Sequence, residues 1–124
     1  MINKISILIV DDDRELTSTL CEILSKDDYD IDVANDGEEA LALIQRKKFH
    51  VVVLDLKMPK RDGFEVLAFT KRSYPNTKII VLTAYADLKN VSKCRELGAD
   101  DVIQKPYELG DIFDAIEYVL KNLK

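Results

Sequence analysis

Three carboxylates, a hydroxyl and an ammonium stand directly behind apolar runs of this chain: Asp11, Asp12 and Asp55, then Thr83, then Lys105. Asp11-Asp12-Asp13 follows Ile5-Ser6-Ile7-Leu8-Ile9-Val10, and Asp55 follows Val51-Val52-Val53-Leu54. Thr83 follows Ile79-Ile80-Val81-Leu82, and Lys105-Pro106 follows Asp101-Val102-Ile103-Gln104. If these runs are strands of one parallel sheet, all five groups reach one rim. Like charges about 4 Å apart repel by ~4 kcal/mol per pair at an effective dielectric near ~20, so burying such acids calls for a cation. Oxygen ligands without His or Cys favour Mg²⁺, with Mn²⁺ also suited, over zinc. Mg²⁺ completes its octahedron with waters and phosphate oxygens. The pattern therefore fits a site that receives a phosphoryl group. Asp55 is the candidate nucleophile, Lys105 offsets the added charge, and Thr83 donates its hydroxyl. A carboxylate with a pKa near about 3.9 is already ionised at neutral pH and needs no general base. His50, the only histidine, precedes the third run and falls at the opposite end of the sheet. Each of these groups alone has an ordinary reading, Asp11 to Asp13 as a helix cap above all. Their joint placement behind strands is what carries the chemistry.

The elements follow from periodicity. Continuous β-branched and apolar runs suit strands buried on both faces, as in parallel sheets. Ile31-Asp32-Val33-Ala34 and Asp101 to Gln104 are mixed, as edge strands should be. Between the runs the period becomes helical. The stripes are Leu16, Leu20, Ile23, Leu24; Ala40, Leu41, Ile44; Phe64, Leu67, Ala68; Leu88, Val91, Cys94, Leu97; and Ile112, Phe113, Ile116, Leu120, Leu123. Asp36 and Asp62 are placed as N-caps, and Gly98 ends the fourth helix. Five strands alternating with five helices predict an α/β doubly wound parallel sheet covered on both faces. Ligands of such sheets gather at the carboxyl ends of the strands.

Length and charge bound the rest. With 124 residues the chain is one domain, 1–124, large enough for a single core. The net charge of −5 argues against direct nucleic-acid binding. No apolar run reaches the ~20 residues of a membrane span, and the start lacks a signal peptide, so a cytoplasmic location is expected. Cys21 and Cys94 lie on apolar stripes without a CxxC pair and read as core thiols.

Val10-Asp11-Asp12, Leu54-Asp55-Leu56-Lys57-Met58-Pro59, Asp62-Gly63, Leu82-Thr83-Ala84 and Lys105-Pro106 together resemble the receiver domains of two-component response regulators. The resemblance covers essentially the whole chain. It implies a flavodoxin-like sheet in the order 2-1-3-4-5. It implies that Asp55 takes a phosphoryl group from the phosphohistidine of a histidine kinase or histidine phosphotransfer protein. Asp12 and Asp55 would bind Mg²⁺ through side chains, Lys57 through its backbone carbonyl, and Asp11 mainly through a water. Thr83 and the Ala84 N–H would hold phosphoryl oxygens, and Lys105 would pair first with Asp55 and then with the phosphoryl group. The resemblance also implies a cis peptide before Pro106. Lys57 and Tyr85 occupy positions that border the path of the hydrolytic water. Such a protein is a switch that catalyses its own phosphorylation and slow dephosphorylation. Its kinase docks on the first helix near Thr17, Ser18 and Cys21. Its output surface is the fourth helix, fifth strand and fifth helix, here with Lys89, Lys93, Tyr107 and Tyr118, serving a downstream protein target or a C-terminal output domain. That face is charged and polar enough for a monomer or a homodimer. Two positions depart from the family's pattern: Val102 replaces the usual switch aromatic, and Arg61 replaces an apolar turn residue.

Three other classes compete. A receiver-like interaction module without phosphorylation would not need the complete residue set. An aspartate-nucleophile phosphatase would want a second acid where Lys57 stands. A flavin-binding relative would want a hydroxyl- and glycine-rich first loop rather than an acidic one.

Overall fold

The computed structural model describes residues 4–57, 62–83 and 88–121. In chain order the elements are β1 (Ser6–Val10), α1 (Arg14–Lys26), β2 (Asp30–Ala34), α2 (Gly37–Arg46) and β3 (Val51–Asp55). They continue as α3 (Gly63–Ser73), β4 (Lys78–Thr83), α4 (Leu88–Glu96), β5 (Asp101–Gln104) and α5 (Leu109–Leu120). All strand pairings are parallel, and the order is β2-β1-β3-β4-β5. This is the doubly wound, flavodoxin-like arrangement expected. The continuous apolar runs form the three inner strands, and the mixed ones form the edges.

Strand alternation splits the core in two. Leu8, Val10, Val52, Leu54, Ile79 and Val81 point toward α2, α3 and α4, where they meet Ile44, Leu67 and Cys94. Ile7, Ile9, Val51, Val53, Ile80 and Leu82 point toward α1 and α5, where they meet Leu20, Leu24, Ile112 and Ile116. Side chains buried on both sheet faces explain why these runs lack a polar alternation.

Asp36 and Asp62 cap α2 and α3 as expected, each accepting from a first-turn N–H. Gly98 adopts φ 102, a left-handed value that suits glycine at a helix end. Its neighbourhood is knotted by Lys71, whose Nζ donates to the Pro75 and Thr77 carbonyls and lies 3.1 Å from Asp100. His50 sits at the amino end of the sheet, far from the acids. It is structural there: its Nδ1 accepts the Ser6 N–H at 3.0 Å, joining β1 to β3. Cys94 is buried, but Cys21 on α1 is only half-buried, so one of the two expected core thiols is partly open. No helix among the described residues is long and apolar enough to cross a membrane.

Candidate phosphoryl and metal site

Register brings the rim residues together. The pair Val10–Leu54 is followed by Asp11 and Asp55 on adjacent strands. Asp55 pairs with Leu82, one residue short of Thr83, and Thr83 pairs with Gln104, one short of Lys105. Main-chain bonds hold this edge: Asp11 N–H to the Ala34 carbonyl, Leu56 N–H to Leu82, and Lys105 N–H to Thr83 at 2.8 Å. The Lys105–Pro106 peptide is cis.

The three consecutive acids divide their labour. Asp13 is the N-cap of α1 and accepts from Glu15 and Leu16. Asp12 is exposed, whereas Asp11 is buried, its Oδ1 accepting the Asp13 N–H at 2.9 Å. Asn35 fixes this turn from β2's side by donating to the Asp11 carbonyl at 3.0 Å. Asn35 carried no sequence signal, because its partner is a main-chain atom distant along the chain. Asp55 is buried and accepts the Lys57 N–H at 3.2 Å on Oδ1. One oxygen from each of Asp11, Asp12 and Asp55 lies within 4.8 Å of the others.

Electrostatics makes this cluster costly by itself. Asp11 is pushed up to about 7, chiefly by burial, with the Asp13 N–H pulling it down and Asp55 pushing it up again. Asp55 is also raised, again by burial first, with the Lys57 N–H and Lys105 opposing. In the metal-free protein, desolvation disfavours the ionised form of Asp55. Asp11 and Asp55 form a hydrogen bond only when one of them holds a proton; as two carboxylates they repel. The second Asp11 oxygen, Oδ2, is buried without a hydrogen-bond partner among the described residues. A buried acceptor left bare, beside two more carboxylates, fits a hard divalent cation.

Thr83 is buried at the end of β4. Lys105 stands at the rim without an ion pair among the described residues, and its Nζ is 6.0 Å from the centroid of the Tyr107 ring. Tyr107 was expected on the output face. It is half-buried between β5 and α5 beside the acidic rim, and its phenol is pushed up to about 12 by burial, then by Asp11, Asp55 and Asp13. The missed signal was its spacing, two residues past the rim lysine through a proline turn. Lys93, exposed on α4, holds its Nζ 4.1 Å over the Phe64 ring on α3. Tyr118 does face outward, 58% exposed. Ala84, Tyr85, Met58, Pro59 and Arg61 lie outside the described residues, as does the Lys89 side chain. Val102 packs, half-buried, against the core on the α4 side.

Gly63 sets how closely α3 approaches the site. A Cβ there would fall 2.5 Å from Leu56 Cα and 2.7 Å from the Leu56 carbonyl oxygen, directly behind Asp55. Gly63→Ala is therefore expected to cost about 1–3 kcal/mol by overpacking backbone that cannot yield. Gly110→Ala, with open space around its Cβ, is the control. Urea denaturation of both variants checks this, and equal midpoints would contradict it.

A cleft of about 450 Å³ opens at the amino end of the sheet, lined in part by Phe49, His50 and Tyr74. It holds none of the rim groups.

An acid cluster at the carboxyl rim of a five-stranded 2-1-3-4-5 sheet, with a buried threonine and a lysine on the next strands, defines a class. The chain belongs to the response regulator receiver domain family, whose model matches residues 7–117. It is similar to sporulation initiation phosphotransferase F of Bacillus subtilis, 35% identical over 97% of this chain and 96% of that one. It is also similar to the transcriptional regulatory protein CpxR of Klebsiella pneumoniae, 39% identical over 94% of this chain and 49% of that one. The chain thus spans about half the length of the second relative and nearly all of the first. Among solved structures, a CheY-like receiver domain protein from Methanospirillum hungatei superposes with TM-score 0.92 at 32% identity, covering 97% of this chain and 96% of that one.

Proposed function

We propose that this receiver domain is a phosphoacceptor switch in which Asp55 receives the phosphoryl group. The carrying observation is the trio Asp11, Asp12 and Asp55, together with an Asp11 oxygen that is buried without a hydrogen-bond partner among the described residues. Asp12 and Asp55 would hold Mg²⁺ by side chains, with the Lys57 carbonyl, and Asp11 would support it. Bound there, the cation supplies the positive charge that lets these acids and phosphoryl oxygens share one site.

The chain's own groups do the rest. The Lys57 N–H holds the Asp55 carboxylate in place. An Asp55 oxygen attacks phosphorus, a P–O bond forms, and the P–N bond to the donor histidine breaks. The histidine leaves with the bonding electrons and takes up a proton. Thr83 and the Ala84 N–H hold phosphoryl oxygens, and Lys105 neutralises the added charge of roughly −1.5 to −2. The donor is a histidine kinase or phosphotransfer protein in the cytoplasm, docking beside the rim on α1. The arriving charge draws Thr83 inward, and the face of α4, β5 and α5 reports the change to a protein target or an output domain. Val102 is too small to act as a swinging aromatic, so Thr83 and the backbone carry the signal.

Incubation with Mg²⁺ and acetyl phosphate, read by intact mass, tests this. A single phosphoryl adduct that EDTA prevents is expected. No adduct with acetyl phosphate or a phosphohistidine donor would instead favour an unphosphorylated interaction module.

The size of Lys57, and of Tyr85 by its place in the sequence, would slow attack by the hydrolytic water and lengthen the phosphorylated state. Lys57→Ala and Tyr85→Ala should each speed decay of the adduct, by about 2- to 10-fold, a barrier change of about 0.4–1.4 kcal/mol. Decay unchanged in both would rule this out.

A further inference from the structure

Among the described residues, Lys105 is a cation whose attraction both Asp11 and Asp55 feel. Yet it makes no ion pair with any carboxylate among the described residues, and it lies within cation–π range of Tyr107, 6.0 Å from the ring centroid. The ring itself is anchored: Tyr107 is half-buried against the core between α1 and α5 that includes Ile112 and Ile116. We propose that the Tyr107 ring is the resting perch of the Lys105 ammonium, a positioning role that keeps this cation off Asp11, Asp12 and Asp55 and so leaves them open to Mg²⁺. The role rests on reading these acids as the cation site.

The physical logic is competition. An ammonium seated on the carboxylates neutralises the charge that a divalent ion needs. An ammonium seated on a neutral aromatic face stays close enough to meet a phosphoryl group without occupying the acids. Burial and the neighbouring acids keep the phenol protonated, so the face offered to Lys105 is that of a neutral ring. Without the ring, Lys105 spends more of its time on the carboxylates, and Mg²⁺ binds more weakly.

The test is a double-mutant cycle on Mg²⁺ affinity, titrated with MgCl₂ and followed by amide NMR shifts near Asp12 and Leu56. Tyr107→Leu should weaken Mg²⁺ binding about 2- to 5-fold, the range of an exposed cation–π contact. Tyr107→Phe keeps the ring and should stay within about 2-fold of wild type. In a Lys105→Met background, Tyr107→Leu should have no further effect, because the competing cation is gone. Affinity unchanged by Tyr107→Leu overturns the perch, and so does an equal loss in the Lys105→Met background, which would mark a purely structural role. A wild type that shows no Mg²⁺-dependent shifts overturns the cation site itself, and the perch with it.

Discussion

Asp55→Asn is expected to abolish phosphoryl uptake from acetyl phosphate, lowering the initial rate on the order of 1,000-fold or more. An amide has no ionised oxygen with which to attack phosphorus, and it is a poorer ligand for a hard cation. The substitution leaves the shape of the site almost unchanged. Asp55 is 4% exposed, and its Oδ1 accepts one backbone N–H, which an amide oxygen can also accept. Loss of uptake would therefore reflect chemistry rather than unfolding, and thermal melting of the variant checks the fold. The burial that raises Asp55 costs the folded wild type when this group is ionised. The variant should accordingly melt no lower than wild type in EDTA. Uptake at the wild-type rate would move the nucleophile to Asp11 or Asp12 and overturn the assignment.

Asp11→Asn is expected to stabilise the metal-free protein above neutral pH by on the order of 2–4 kcal/mol. The native state holds a proton on Asp11 up to about 7, against 3.8 for an ordinary aspartate. Between those values the folded chain binds more protons than the unfolded one. Stability in EDTA should therefore be greatest toward the acid side of the window and fall as pH rises to about 7. Burial is the main cause, and Asp55 and Asp12 add repulsion that Lys105 partly offsets. Asparagine removes the ionisation and keeps an acceptor for the Asp13 N–H. The variant should lose most of the pH slope. Mg²⁺ should reverse the ranking, since a ligand bound only by the native state stabilises it by mass action. Urea midpoints across this pH range, with EDTA and then with MgCl₂, measure both effects. A flat wild-type profile in EDTA would contradict the raised Asp11.

These two acids show how far the sequence reaches. Asp11 and Asp55 were legible because each follows an apolar run, and a run buried on both faces has few folds open to it besides a parallel sheet. The same reasoning placed Thr83 and Lys105 at the rim and identified Asp36 and Asp62 as caps. Neighbours in sequence were harder to tell apart. Asp11, Asp12 and Asp13 are identical in type, yet one is buried, one exposed and one a helix cap. Side-chain direction at the end of a strand decides among them, and composition does not record it.

By itself, then, the sequence determined the fold class, the inner and edge strands, and the set of acids gathered at one end. Apolar periodicity and short connections leave little freedom in those choices. Only the tertiary structure decided how the site is tuned. It placed Tyr107 beside the acids, and it put Lys105 over that ring rather than in an ion pair with Asp55. It turned Lys93 onto Phe64 and left Asp11 Oδ2 buried without a hydrogen-bond partner among the described residues. Each depends on the path of a loop or the aim of a long side chain. Those are set by packing and charge between residues far apart along the chain, which no local pattern encodes.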